Sequence, residues 1–172
     1  LTHQLRKNIA LDCQILVRSQ QTAADLATGH IRQLPEVIGL DSFQVTDDTR
    51  CLQTADVIYL VLPVSAHEES FKIINSFAPV STPVVLCAKG LVSDPHKGGL
   101  FLPEYARHHL TGRPLAVLTG PSFADEVLRD LPTALLVASD TATLSAQIAA
   151  QFSASSLRLY QGSDMILSLI HI

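Results

Sequence analysis

The sequence predicts an α/β fold in which a parallel sheet is covered by helices on both faces. Short apolar or β-branched runs alternate with amphipathic segments, and most of these runs are apolar almost throughout. Strands of that kind are buried on both sides, as they are in parallel sheets. With 172 residues, a single domain is the default expectation. The predicted strands are 13–17, 43–46, 57–62, 84–88, 115–118, 134–138 and 157–160.

The segments between these strands carry helix signals. Ser65 followed by Glu68 predicts a capping box, and the helix after it is expected to end before Pro79. Asp140 is expected to cap a later helix. In both helices apolar residues recur at helical spacing, which predicts one buried face for each. These residues are Phe71, Ile74 and Phe77 in the first helix, and Leu144, Ile148 and Phe152 in the second.

Composition and charge argue against several classes of function. The net charge of -4 and the pI of about 5.9 do not indicate a nucleic-acid surface. No apolar run reaches the roughly 20 residues of a membrane span. Cys13, Cys51 and Cys87 are odd in number and widely spaced, so they indicate neither a disulfide framework nor a zinc site. We therefore expect no metal, no nucleic-acid partner, no membrane span and a reducing cytoplasmic location.

One strand-to-helix junction has the composition of a ligand site. The apolar run 114–118 is followed by Thr119, Gly120, Pro121 and Ser122, and Asp125 completes a second predicted capping box. Glycine permits backbone angles that are closed to other residues, and proline fixes its own φ. The first N–H groups of a helix are unpaired unless a cap or a ligand accepts from them. This junction therefore predicts a site for an oxygen-rich ligand.

A second strand end carries a cation. The predicted strand 84–88 is followed directly by Lys89 and Gly90. In open α/β sheets, ligands bind at the carboxyl ends of the strands. An ammonium group there can stabilise an oxygen that gains negative charge during a reaction. We therefore expect Lys89 and the Gly120 turn to face the same ligand.

These two segments resemble the NAD(P)-dependent sn-glycerol-3-phosphate dehydrogenases. Residues 88–91, Ala-Lys-Gly-Leu, are similar to the family's T-K-G-L stretch. Residues 115–139 resemble its longest signature, in which a strand, G-P-S/T-F-A-x-E, G-L-P-T-A and A-S follow in order. Asp130 stands where the family usually has the glycine of G-L-P-T-A. The resemblance covers roughly residues 1–166.

The resemblance implies a Rossmann-like fold, with NADP or NAD as cofactor, and assigns roles to individual residues. It implies that Lys89 is catalytic and contacts both the substrate and the nicotinamide end of the cofactor. Gly120 and Ser122 match the positions that contact the substrate, and Ala124 matches a cofactor position. Arg18 closes the predicted second strand of the fold, where an arginine can accommodate the 2′-phosphate of NADP.

The resemblance also implies that the family's domain extends beyond this chain. The segment 1–8 is expected to end a helix that leads into the strand 13–17, which would be the second strand of a Rossmann fold. The first strand and its G-x-G-x-x-G turn are not in the sequence. We expect residues 1–166 to form the cofactor-binding domain and residues 167–172 to be a non-native tail. The family's helical second domain, which carries its catalytic lysine, is expected to be absent, so the chain alone is expected to be inactive.

The implied activity of the full enzyme is the interconversion of sn-glycerol 3-phosphate and dihydroxyacetone phosphate, which supplies phospholipid synthesis. The full-length protein is expected to act on this small substrate in the cytoplasm, as a homodimer. Two other readings stay open at this point. One is another Rossmann hydroxyacid dehydrogenase, of the 6-phosphogluconate or ketopantoate type. The other is a catalytically dead nucleotide-binding module.

Overall fold

The fold is described from a computed structural model that covers residues 1–28, 43–93 and 98–166. The expected tail at 167–172 lies outside these residues. The strands are β1 (Gln14–Leu16), β2 (Gln44–Thr46), β3 (Ile58–Leu60), β4 (Val84–Leu86), β5 (Leu91–Val92), β6 (Leu100–Phe101), β7 (Leu115–Thr119), β8 (Thr133–Ser139) and β9 (Leu157–Gly162). The α-helices are α1 (Thr2–Leu5), α2 (Gln20–Ala27), α3 (His67–Phe77), α4 (Leu102–His109), α5 (Ala124–Leu128) and α6 (Ala142–Gln151). Single 3₁₀ segments cover Thr49–Thr54 and Val64–Ala66.

The predicted strands are confirmed, and in the described residues they form two separate sheets. In the described part of the chain, the main sheet has five strands in the order β3-β4-β7-β8-β9. Strands β1 and β2 form a parallel pair of their own. Neither of these two strands hydrogen-bonds to β3 within the described ranges.

The main sheet differs from the prediction in one pairing. Strands β3, β4 and β7 are parallel, and β8 and β9 are parallel, but β8 runs antiparallel to β7. The connection between β7 and β8 contains only α5, which has five residues. The chain between the two strands, residues 120–132, stays at the edge of the sheet where β7 ends, so β8 begins there and runs back antiparallel.

Helices cover both faces of the main sheet, as predicted. On one face, α3 and α4 bury Phe71 and Leu102 against the alternate strand residues Val84 and Leu86. On the other face, α6 and α1 pack against the remaining strand positions. The predicted apolar stripe of α6 lies in this second core, which includes Val85, Ala116, Leu118, Leu144, Ile148 and Phe152.

The predicted helix caps are wrong, although the helices themselves are confirmed. Ser65 lies inside a 3₁₀ turn, so α3 begins two residues after it. Ser122 is separated from α5 by an extended residue. The Asp140 carboxylate accepts from Arg107 Nη2 at 2.6 and 2.8 Å instead of capping α6. The observed N-cap residues of α3, α5 and α6 are Ala66, Phe123 and Thr141. None of their side chains makes a capping hydrogen bond.

Candidate active site

Lys89 and Gly120 meet at the carboxyl edge of the main sheet. Strand β4 is fully buried, and the chain leaves it after Leu86 so that Lys89 is exposed at the sheet's rim. Strand β7 lies beside β4 in parallel and ends directly before Gly120. The Lys89 Nζ donates to the Gly120 carbonyl at 2.9 Å. The two sequence features singled out from separate segments therefore lie in direct contact.

Gly120 occupies a position that only glycine fits. Its φ is +156°, in the region that disfavours side chains. A Cβ built there would lie 2.8 Å from Leu135 Cδ2 and 2.9 Å from the Ala134 carbonyl oxygen. Both distances are far below van der Waals contact, so strand β8 approaches the turn too closely for any side chain. The direction of the Gly120 carbonyl is thus set by the backbone and by packing from β8.

The turn after β3 joins the same rim. Gly90 has a φ of +135°, and a Cβ on it would lie 3.3 Å from Val64 Cγ2. Val64 begins the 3₁₀ turn that follows β3. The loops after three adjacent parallel strands, β3, β4 and β7, therefore converge. We call Val64, Lys89, Gly90 and Gly120 the Lys89 rim.

Ser122 and Ala124 follow the rim along the chain. Ser122 is exposed two residues after Gly120, and its hydroxyl makes no hydrogen bond to another described residue. Ala124 is the exposed first residue of α5. Phe123 between them is 68% exposed, which is unusual for an aromatic side chain. Residues 121–124 of this turn are thus all exposed.

Arg18 lies just beyond the end of the two-stranded sheet formed by β1 and β2. It follows β1, and its described partner is Glu69 on α3, with Arg18 Nη1 and Glu69 Oε2 3.1 Å apart. Both side chains are more than half exposed. Lys89 and Gly120 are not among its described partners. The structure therefore joins Arg18 to the helix behind the Val64 turn and leaves it apart from the other predicted site residues.

The charge of Lys89 has no acidic counterpart in the described structure. The ion pairs of residues 1–28, 43–93 and 98–166 do not include Lys89. Its described partner is the neutral Gly120 carbonyl, and an ammonium group has three N–H donors. Two N–H donors of this exposed ammonium group therefore remain free to bind a negatively charged oxygen.

Two buried polar groups near this edge received no individual role in the sequence analysis. Thr119 ends β7 and is 5% exposed, and its hydroxyl oxygen has no described hydrogen-bond partner. His67 is fully buried; its Nδ1 lies 3.0 Å from the Pro63 carbonyl, and its Nε2 has no described partner. Burial lowers the pKa of His67 below its usual 6.5. Thr119 could have been found from its place between a buried strand and the Gly120 turn.

At Gly90 and Gly120 the space that a side chain would take is filled by Val64 and by strand β8, so the packing of the protein itself accounts for both glycines. The sequence contains no G-x-G-x-x-G stretch, so we assign the pyrophosphate to no residue. Among the described residues, there is no group of three or more His, Cys, Asp or Glu side chains that could hold a metal ion. The described helices are also too short or too polar to cross a membrane.

Comparison with known proteins gives one consistent family. The sequence model described as "NAD-dependent glycerol-3-phosphate dehydrogenase N-terminus" matches residues 3–145. A glycerol-3-phosphate dehydrogenase [NAD(P)+] of Mesorhizobium japonicum is 36% identical over 155 residues, which are 89% of this chain and 44% of the relative. The corresponding protein of Beijerinckia indica is 35% identical over 158 residues, 91% of this chain and 46% of the relative. The chain thus spans about half the length of these relatives.

Comparison with solved structures finds a closely similar fold. The crystal structure of glycerol-3-phosphate dehydrogenase from Coxiella burnetii superposes with a TM-score of 0.80 at 22% sequence identity. The superposition covers 96% of this chain and 50% of the solved one. At this identity the likeness establishes the Rossmann-like fold alone.

Proposed function

Since the chain belongs to the family of NAD-dependent glycerol-3-phosphate dehydrogenase N-termini, we propose that it binds cofactor and substrate in such an enzyme. The enzyme interconverts sn-glycerol 3-phosphate and dihydroxyacetone phosphate with NADP or NAD. The observation that carries the proposal is the contact of Lys89 Nζ with the Gly120 carbonyl at 2.9 Å. The contact lies at the carboxyl ends of β4 and β7, the edge where open α/β sheets bind ligands.

Lys89 is the residue that acts on the reacting oxygen in this proposal. When bound, the nicotinamide supplies or accepts the hydride at C2 of the substrate. The C2 oxygen gains negative charge as dihydroxyacetone phosphate is reduced. The Lys89 ammonium donates to that oxygen with the N–H groups that Gly120 does not use, and so stabilises the charge. The proton that the oxygen needs comes from a group outside this chain.

The neighbouring residues bind and orient. The Gly120 backbone and the Ser122 hydroxyl contact the substrate's oxygens, and Ala124 lets the cofactor approach α5 closely. Arg18 meets the adenosine ribose and can leave Glu69 to bind a 2′-phosphate. Residues 1–166 form the cofactor-binding domain in this proposal, and a separate helical domain completes the enzyme. The complete enzyme is a cytoplasmic homodimer that supplies glycerol phosphate for phospholipid synthesis. The family match favours this activity over a 6-phosphogluconate or ketopantoate dehydrogenase.

A chimeric enzyme tests the proposal. The aligned segment of the Mesorhizobium japonicum relative is replaced by the corresponding residues of this chain, and oxidation of NADPH by dihydroxyacetone phosphate is followed. We expect turnover, and we expect Lys89→Met to lower kcat/KM by at least about 100-fold, the usual cost of losing one donor to a developing oxyanion.

Lys72→Met is the matched control. Lys72 is also an exposed lysine, but it pairs with Glu68 on α3, away from the rim. It should leave kcat/KM within a factor of about two, because an exposed ion pair contributes little. A folded chimera without turnover, beside an active parent enzyme, would refute the proposed activity. Equal losses in both lysine variants would refute the role of Lys89.

A further inference from the structure

We propose that Leu135 is a positioning residue for Lys89, because it fixes the Gly120 carbonyl that holds the ammonium group. The positioning of Lys89 by Leu135 does not depend on the proposed function. Only its consequence, that Lys89 points at the substrate, rests on that function. Its physical basis is the contact between β8 and the Gly120 turn. Nothing in the sequence pattern around Leu135 distinguishes it from an ordinary core residue.

The antiparallel pairing places Leu135 against the turn. Thr119 is opposite Leu136 in the β7–β8 ladder, so the next step of the ladder puts Gly120 beside Leu135. The position of a Gly120 Cβ lies 2.8 Å from Leu135 Cδ2 and 3.1 Å from Leu135 Cα. Gly120 therefore packs directly on this residue, with no intervening side chain.

The core on the other side prevents Leu135 from moving. Leu135 is 7% exposed and belongs to the cluster formed with Leu118, Val137 and Ile148. Protein interiors are close-packed, so a shift of the Leu135 side chain must displace its neighbours. Leu135 thus holds Gly120 against the core, and the Gly120 carbonyl keeps one direction. A lysine side chain has a flexible four-carbon stem, so a fixed acceptor is needed to hold its ammonium in one place.

The test measures the order of the Lys89 ammonium directly. The chain has four lysines, so ¹⁵N-lysine labelling gives few signals, and ¹⁵N relaxation yields an order parameter for each ammonium group. We expect Leu135→Ala to reduce the Lys89 order parameter below about 0.6, the range of flexible groups. Leu135→Met, which keeps the volume, should leave it near the value of the unmodified chain.

Leu144→Ala separates positioning from general loss of stability. Leu144 is also 7% exposed and lies in the same core cluster, but it is on α6. It is not among the nearest neighbours of a Gly120 Cβ. We expect both alanine variants to lower the unfolding midpoint, and only Leu135→Ala to release Lys89. If Leu135→Ala does not fold, Leu135→Val removes a single methylene and is measured in the same way.

A glycine pair gives a second, independent comparison. Gly120→Ala introduces the clash with β8, whereas Gly112→Ala also places a side chain at a positive φ, +76°, but with its nearest contact at 3.8 Å. We expect only the first to reduce the Lys89 order parameter. An unchanged order parameter in Leu135→Val and Gly120→Ala, or an equal loss in Leu144→Ala, would overturn the proposal. The order parameter is measured without substrate and does not depend on activity. An ordered Lys89 in an inactive chimera would therefore refute the proposed function but not the positioning of Lys89 by Leu135.

Discussion

Asp130 shows how a single residue departs from the family pattern and still fits the fold. Its φ is +61°, a left-handed conformation that glycine adopts without cost. That backbone angle explains why the family usually has a glycine at this position. Asp130 also accepts hydrogen bonds from Gln4 Nε2 at 2.9 Å and from the Lys7 ammonium. The Asp130 side chain therefore links the turn before β8 to α1. A glycine has no side chain to make these contacts.

Replacing Asp130 separates the backbone conformation from the side-chain contacts. Asp130→Gly and Asp130→Ala both lose the contacts to α1, but only alanine is strained in the left-handed region. We expect Asp130→Ala to be less stable than Asp130→Gly by about 1–2 kcal/mol, measured by urea unfolding at pH 7. Equal unfolding midpoints would show that the turn relaxes out of this conformation.

Helix α3 shows what the sequence could predict about an element and what it could not. Its apolar stripe was predicted because the 3.6-residue period is local, and Phe71 and Ile74 are indeed buried. Its start was misplaced, because Ser65 is taken up by the 3₁₀ turn. His67 instead begins the helix, fully buried beside Phe71 with ring centroids 5.6 Å apart. No local pattern indicates that this histidine is buried, since its burial depends on the strands beneath it.

The buried His67 predicts a pH dependence of stability. Burial lowers its pKa below 6.5 in the folded chain, so the unfolded chain binds more protons as the pH falls below that value. The stabilisation by neutral His67 is therefore present above about pH 6.5 and is lost on acidification. We expect the stability difference between pH 7.5 and pH 5.5 to be smaller in His67→Gln, measured by urea unfolding at both values. The same difference in both proteins would contradict this, because the other histidines are common to both.

At the scale of the whole molecule, local patterns predicted the elements but not their arrangement. The strands were found because buried runs of Val, Leu and Ala are visible in the sequence. The reversal of β8 was missed, since the sequence pattern does not show at which edge of the sheet a connection ends. The contact of Lys89 with Gly120 was expected from their shared edge, whereas the approach of Leu135 arises only from that reversal. The parts of the candidate site that follow strand ends were thus predictable, and the packing behind them was not.

The most direct measurement is a crystal structure of the chimeric enzyme with sn-glycerol 3-phosphate and NADP bound. The account predicts one substrate molecule that contacts the Lys89 ammonium and the turn formed by Gly120 and Ser122, with Lys89 still held by the Gly120 carbonyl. A substrate bound elsewhere on the sheet, or Lys89 turned away from Gly120 in the complex, would contradict the central claim.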